Sequence, residues 1–381
     1  MRAYGETTLA AGIRSRFVKN INGLTLHVLE AGEPGKPCVL LLHGFPELAY
    51  SWRKIMLPLA AAGYRVIAPD QRGYGRTTGA DTGYDGDLGP YRMLDLARDA
   101  VGLVAALGLR SVDAVIGHDF GSSVAAWCAL LRPDIFRSVA LMSAPFGGPP
   151  ALPFDTDGRE LTEAETVPAV TRITPALAAL HPPRKHYHAY YATREADADM
   201  RNCRQGLHAF LRAYYHQKSG DWPGNAPRRL TGWTADELAK LPHYYVMPRD
   251  LGMAETVAAD MPSPERIAAC TWLTEAELAV YAGEFARTGF QGGLNWYRAR
   301  LAPQLNSEHE LFSGRRIDVP ACFISGASDW GIYQTPGALE AMETRACTQY
   351  RGTHLIAGAG HWVQQERPEE VTRLLLRFLK G

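Results

Sequence analysis

Four short apolar runs constrain the fold more than anything else in the chain: "PCVLLLHG" (37–44), "YRVIAPD" (64–70), "VDAVIGHD" (112–119) and "SVALMSAP" (138–145). None alternates apolar with polar residues, a pattern that suits a strand covered on both faces. Segments of helical periodicity lie between them. "MLDLARDAVGLVAALG" (93–108) repeats apolar residues at helical spacing and stops at a glycine, and "SSVAAWCALLRP" (122–133) reads as a second helix. Strands alternating with helices predict an α/β protein with a mostly parallel, doubly wound sheet. Upstream, "FVKNINGLTLHVLEAG" (17–32) reads as two strands joined at Asn22-Gly23, a strong hairpin signal.

After Pro145 the pattern changes. Residues 146–300 lack buried strand runs and are rich in Ala, Tyr, Pro and helix formers. The alternation resumes with "VPACFISGASDW" (319–330) and "THLIAGAGHW" (353–362), and the amphipathic "PEEVTRLLLRFLK" (368–380) closes the chain. The simplest division is a core contributed by 1–145 and 301–381, with a helical cap of 146–300 inserted. Such an insertion is expected over the carboxyl ends of the strands, where open α/β sheets bind ligands.

With 381 residues, 46% hydrophobic, the chain can bury a large core. Its formal net charge is zero, so no single-sign field favours nucleic acid or an anionic membrane as partner. Six cysteines show no C-x-x-C pair, which argues against a structural zinc site and for free thiols in a reducing compartment. The first residues, "MRAYGETTLAAGIRSRF", contain no apolar signal core. A cytoplasmic protein, monomeric or homodimeric, is expected.

The chemistry centres on Gly117-x-Asp119-x-Gly121. A sharp turn between a buried strand and a helix needs small flanking residues and lifts its central side chain clear, an arrangement that usually carries serine. The competing reading is a buried aspartate capping a helix. An ionised carboxylate at the apex can attack an sp³ carbon without a base and form an ester. Hydrolysing that ester then needs a water, a base, and donors for the oxyanion.

His361, in the glycine-rich "AGAGHWVQQ", is the expected base, and Asp329, ending "ACFIS", the acid that orients it. No carboxylate follows "SVALMSAP" until Asp155, which disfavours the other place for the acid. The order Asp119, Asp329, His361 is the chain order of α/β-hydrolase triads. The oxyanion donors are expected to be the backbone N–H groups of Phe45 and Phe120, and Pro46 is a candidate for a cis peptide bond. Pro46 and Trp362 are expected to line the substrate pocket.

"HGFPE" (43–47), "DQRGYG" (70–75), "GHDFG" (117–121), "SGASDWG" (325–331) and "GHW" (360–362) resemble, in order, the soluble-type epoxide hydrolases of the α/β-hydrolase fold. The resemblance spans Arg16 to Gly381. It implies an α/β-hydrolase fold with a cap, a small-molecule epoxide substrate, no cofactor, and two cap tyrosines that hold and protonate the epoxide oxygen. "GFQGGLNWYRA" (289–299) maps one of them to Tyr297. The other is similar to Tyr187 in "RKHYHAYYA", with Tyr190 and Tyr191 as nearby alternatives. A neutral phenol suits the role, because ring opening leaves a strongly basic alkoxide. His186 and His188 have no accompanying carboxylate or cysteine spacing for a metal site.

Four rivals share the fold. Haloalkane dehalogenases resemble the chain but carry a tryptophan donor, and fluoroacetate dehalogenases an arginine, at the position of Phe120. A serine esterase would need its nucleophile at the apex, whereas Ser122 and Ser123 fall past it. A non-catalytic receptor commonly lacks a member of the catalytic set. The stretch 241–263, with Tyr244, Tyr245 and Met247, is expected either to pack the cap or to cover the pocket.

Overall fold

The computed structural model describes residues 3–5, 7–152 and 168–381. Residues 153–167 of the expected insertion, Asp155 among them, lie outside the described residues. The core is one eight-stranded sheet. Its strands are β1 (Arg14–Ile21), β2 (Leu24–Ala31), β3 (Cys38–Leu42), β4 (Arg65–Pro69), β5 (Ala114–His118), β6 (Val139–Met142), β9 (Ile317–Gly326) and β10 (Cys347–Ile356). Their spatial order is β1-β2-β4-β3-β5-β6-β9-β10. The four apolar runs lie at its centre as β3, β4, β5 and β6, and the pairs from β4 through β10 are parallel. The first two strands form the expected hairpin, antiparallel to each other and to β4. Asn22 and Gly23 both take positive φ in its turn.

Alternate residues of the central strands feed two separate cores, as burial on both faces requires. Leu40, Leu42, Val115 and Leu141 meet α2 (Met93–Ala106) and α3 (Phe120–Leu131). Val39, Leu41, Ile116 and Met142 meet α1 (Arg53–Ala61) and the C-terminal helix, Pro368–Lys380.

A cap follows β6 and rejoins the core before β9. Its main helices are α4 (Ala169–Ala178), α5 (Tyr187–Tyr191), α6 (Leu207–Lys218), α7 (Met253–Ala258), α8 (Glu275–Thr288) and α9 (Gln291–Leu301). It is not wholly helical. β7 (Arg184–His186) pairs antiparallel with β8 (Val246–Pro248), two strands too short to leave a hydrophobic run in the sequence. The 241–263 stretch supplies β8 and α7, and the Tyr187 N–H donates to the Tyr245 carbonyl at 2.9 Å. This segment therefore braces the helix that carries Tyr187. All six cysteines are free thiols. Among the described residues no helix is long and apolar enough to cross a membrane.

Candidate active site

The Gly-x-Asp-x-Gly turn joins β5 to α3. Asp119 has φ 53° and ψ −120°, a strained conformation for a residue with a side chain. The flanking glycines are dictated by contact. A Cβ on Gly117 would stand 2.1 Å from the Gly121 carbonyl oxygen, and one on Gly121 would stand 2.2 Å from that of Leu42. Gly44 is held to the same rule, since its Cβ would lie 2.4 Å from the Asp119 side chain.

Three turns at the carboxyl ends of the strands bring the triad residues together. His361 Nε2 is 3.3 Å from Asp119 Oδ2, and its Nδ1 lies 3.1 and 3.2 Å from the two oxygens of Asp329. The Ser325 hydroxyl and the Gly331 N–H donate to the Asp329 carboxylate at 2.9 and 2.7 Å. All three side chains are buried. No aligned hydrogen bond occupies His361 Nε2, which leaves it available to a water.

Burial opposes the charge on both aspartates but does not win. The proximity and charge of His361, with contributions from Lys218 and His118, hold Asp119 far below the usual carboxylate range. His361 and the Gly331 N–H likewise hold Asp329 low. Asp119 is thus an anion across the neutral range.

The Phe45 N–H donates to Asp119 Oδ1 at 3.0 Å, and the Phe45–Pro46 peptide bond is cis. Phe120 opens α3 directly after the aspartate, so its N–H belongs to the helix start, where donors lack intrahelical partners. The Tyr215 hydroxyl donates to the Pro46 carbonyl at 2.9 Å. Trp362 is fully buried and its indole N–H donates to the Tyr215 carbonyl at 2.8 Å, tying the histidine loop to the cap.

The cap closes this arrangement with aromatic rings. Tyr297 packs edge-on against Phe45 and Phe120, with ring centroids 5.5 and 5.1 Å apart, and Tyr187 lies 6.0 Å from Tyr297. Burial first, then the charge of Asp119, pushes both phenols well above their ordinary range, so both are neutral donors. The Tyr187 hydroxyl donates to Gln334 Oε1 at 2.9 Å. Of the neighbouring tyrosines, Tyr190 donates to Asp199 and Tyr191 to Tyr214, each at 3.2 Å, and the Tyr191 ring packs 5.0 Å from those of Tyr297 and Phe45. His186 and His188 pack at a tilt against Tyr187, and burial leaves both imidazoles neutral, His186 pushed down to about 3.

Sequence reasoning overlooked a second buried histidine–carboxylate pair. His118 Nδ1 is 2.6 Å from Glu47 Oε2, and its Nε2 is 2.6 Å from the His361 carbonyl oxygen. Burial disfavours charge on both partners, yet their mutual attraction raises His118 and lowers Glu47. Gln364 and the Gly44 N–H complete the carboxylate's shell at 2.9 Å each. Both residues stood within quoted motifs, but only folding brings 47 beside 118. Lys218 and Gln334 were also missed, since no local pattern marks either.

Comparison with known proteins shows the family to which the chain is similar. Residues 37–368 match the family model described as alpha/beta hydrolase fold. The chain is 36% identical over 379 residues to epoxide hydrolase A of Mycobacterium tuberculosis, covering 97% of this chain and 98% of that one. It is 31% identical to epoxide hydrolase 3 of Siraitia grosvenorii, covering 94% and 96%. Among solved structures, an epoxide hydrolase from an endophytic Streptomyces superposes with a TM-score of 0.76 at 34% identity, covering 98% and 96%. Potato (Solanum tuberosum) epoxide hydrolase I gives 0.72 at 29%, covering 97% and 99%.

Proposed function

The chain belongs to the epoxide hydrolases of the α/β-hydrolase fold, and on that premise we propose that it opens an epoxide to a vicinal diol through a covalent ester on Asp119. The observation that carries this reading is an ionised aspartate at a nucleophile turn, 3.3 Å from a histidine held by Asp329, beneath two neutral phenols.

Asp119 Oδ1 accepts from the Phe45 N–H, so Oδ2 is the oxygen free to attack. It displaces the epoxide oxygen from one ring carbon in line with the breaking bond. Tyr187 and Tyr297 hydrogen-bond that oxygen and one of them gives it a proton, so no free alkoxide forms. For this Tyr187 exchanges its bond to Gln334 for one to substrate. The product is a hydroxyalkyl ester whose carbonyl oxygen is Oδ1.

His361 Nε2 then takes a proton from water, which adds to the ester carbonyl. The Phe45 and Phe120 N–H groups stabilise the oxyanion. Asp329 keeps the imidazole oriented and offsets its positive charge. Collapse of the intermediate breaks the acyl–oxygen bond, the acid proton formed on Asp119 passes to the departing alkoxide, the proton on His361 restores the tyrosine phenol, and the diol is released. The Asp119 charge is needed only for the first half of the cycle and the imidazole base only for the second.

That division supplies the test. His361→Gln, mixed with a panel of aryl and alkyl epoxides and measured by intact mass, is expected to gain the mass of one epoxide on the peptide that holds Asp119. Adducts from alkyl halides with loss of halide, and none from epoxides, would move the chemistry to dehalogenation.

A further inference from the structure

Lys218, the last residue of α6, is 3% exposed, and among the described residues no carboxylate forms an ion pair with its ammonium. A buried lysine without a counter-ion is costly. Four aromatic rings offset part of that cost. The ammonium lies 5.0 Å from the Tyr245 ring centre, 5.4 Å from those of Tyr214 and Trp362, and 5.9 Å from that of Tyr244. Such a cage stabilises the charge, and with one N–H directed at the Tyr214 hydroxyl it leaves the remaining donors unused. Beside it the Tyr245 hydroxyl is buried and has no hydrogen-bond partner.

This cluster is continuous with the catalytic wall. Trp362 follows His361, and the Tyr245 ring packs 5.2 Å from that of Tyr187. The Lys218 carbonyl accepts the His361 N–H at 2.7 Å, which fixes the lysine relative to the base. Asp119 and His188 both feel the Lys218 charge. Asp119 already has His361 and the Phe45 N–H to hold it ionised. A cation and a phenol with unused donors, set in the wall of a small-molecule site, match the oxygens of an anion. The two aspartates nearby would repel an anionic substrate, and the ammonium supplies the opposite charge.

We propose that Lys218 and Tyr245 form a carboxylate subsite, so that the favoured substrates are epoxides bearing a carboxylate close to the ring. The proposal rests on the epoxide-opening reading above for its chemistry, but not for its binding.

The test pairs turnover with binding. In wild type, 3-phenylglycidate is expected to show at least about 10-fold higher kcat/KM than the neutral 3-phenylglycidamide, the scale of a charge-assisted hydrogen bond. Lys218→Met is expected to lower kcat/KM for the acid about 30-fold more than for the amide, and Lys218→Arg to recover part of the difference. Equal losses on acid and amide would overturn the subsite and leave Lys218 acting through Asp119 or the fold. The binding arm uses 3-phenylpropanoate and its amide, which cannot react, in calorimetry. Selective binding of the acid that Lys218→Met abolishes, without turnover of any epoxide, keeps the subsite and discards the reaction. No selective binding discards the subsite whatever the turnover.

Discussion

At the scale of single residues the site is governed by how little room it leaves. Asp119 is held at φ 53° because the chain must reverse from β5 into α3 within one residue, and Gly121 lets β3 pass beneath it. A methyl group on Gly121 would meet two backbone carbonyls, at 2.2 and 2.5 Å, and neither can rotate away. Gly121→Ala is therefore expected to lose about 3 kcal/mol of stability or more. Denaturant unfolding checks this, and a loss under about 1 kcal/mol would mean the turn tolerates a side chain. The Gly-x-Asp-x-Gly spacing was legible for the same steric reason. The neutrality of Tyr187 and Tyr297 was not, because it depends on burial and on a carboxylate far away in the chain.

Elements act here through their contacts. Helix α9 carries Tyr297, and its first turn lies directly on the "DQRGYG" loop. A Cβ on Gly292 would stand 2.0 Å from the Gly73 carbonyl oxygen, while the Trp296 indole donates to the Arg72 carbonyl at 2.9 Å. The "GFQGG" segment is therefore a docking surface as well as a sequence marker. Gly292→Ala is expected to displace α9 and slow single-turnover ester formation about 100-fold, since a misplacement near 1 Å costs about that much. An unchanged rate with an aryl epoxide would show that Tyr297 is positioned by other contacts. The 241–263 segment illustrates the limit of periodicity: β8 spans Val246–Pro248 only, and its partner β7 lies about 60 residues away in sequence.

Across the whole molecule the cap and core are joined by apolar packing, ion pairs and hydrogen bonds. A single hydrophobic cluster runs from Leu40 and Val115 on the sheet into Tyr187, Tyr245 and Tyr297 of the cap. Arg53 pairs with Glu277 at 2.9 Å, Arg76 with Glu284 at 2.7 Å, and the Ser51 and Tyr281 hydroxyls meet at 2.8 Å. Glu366 makes a further tie, accepting N–H bonds from Gly220 of the cap and from Gly360 and Trp362 of the histidine loop. Burial outweighs those donors and raises its carboxyl from 4.5 to about 7. A carboxyl raised in the folded state binds its proton more tightly there than in the unfolded chain. Its stabilising contribution is fully present below about pH 4.5 and is lost as pH rises through about 7, roughly 3 kcal/mol in all. Glu366→Gln is expected to shrink the fall in stability between pH 5 and pH 8, measured by denaturant midpoints. The same fall in both proteins would assign it to other groups.

The sequence by itself determined the order of strands and helices in the core and the reversal at Asp119, because each depends on local sterics or on short apolar runs. Tertiary structure decided the rest. It gave three neighbouring phenols different partners, Gln334 for Tyr187, Asp199 for Tyr190 and Tyr214 for Tyr191, with β7 and β8 setting the start of α5. It joined Glu47 to His118, and it buried Lys218 among four rings drawn from three separate segments. Those are long-range contacts, formed by which faces pack together, and no local spacing encodes them.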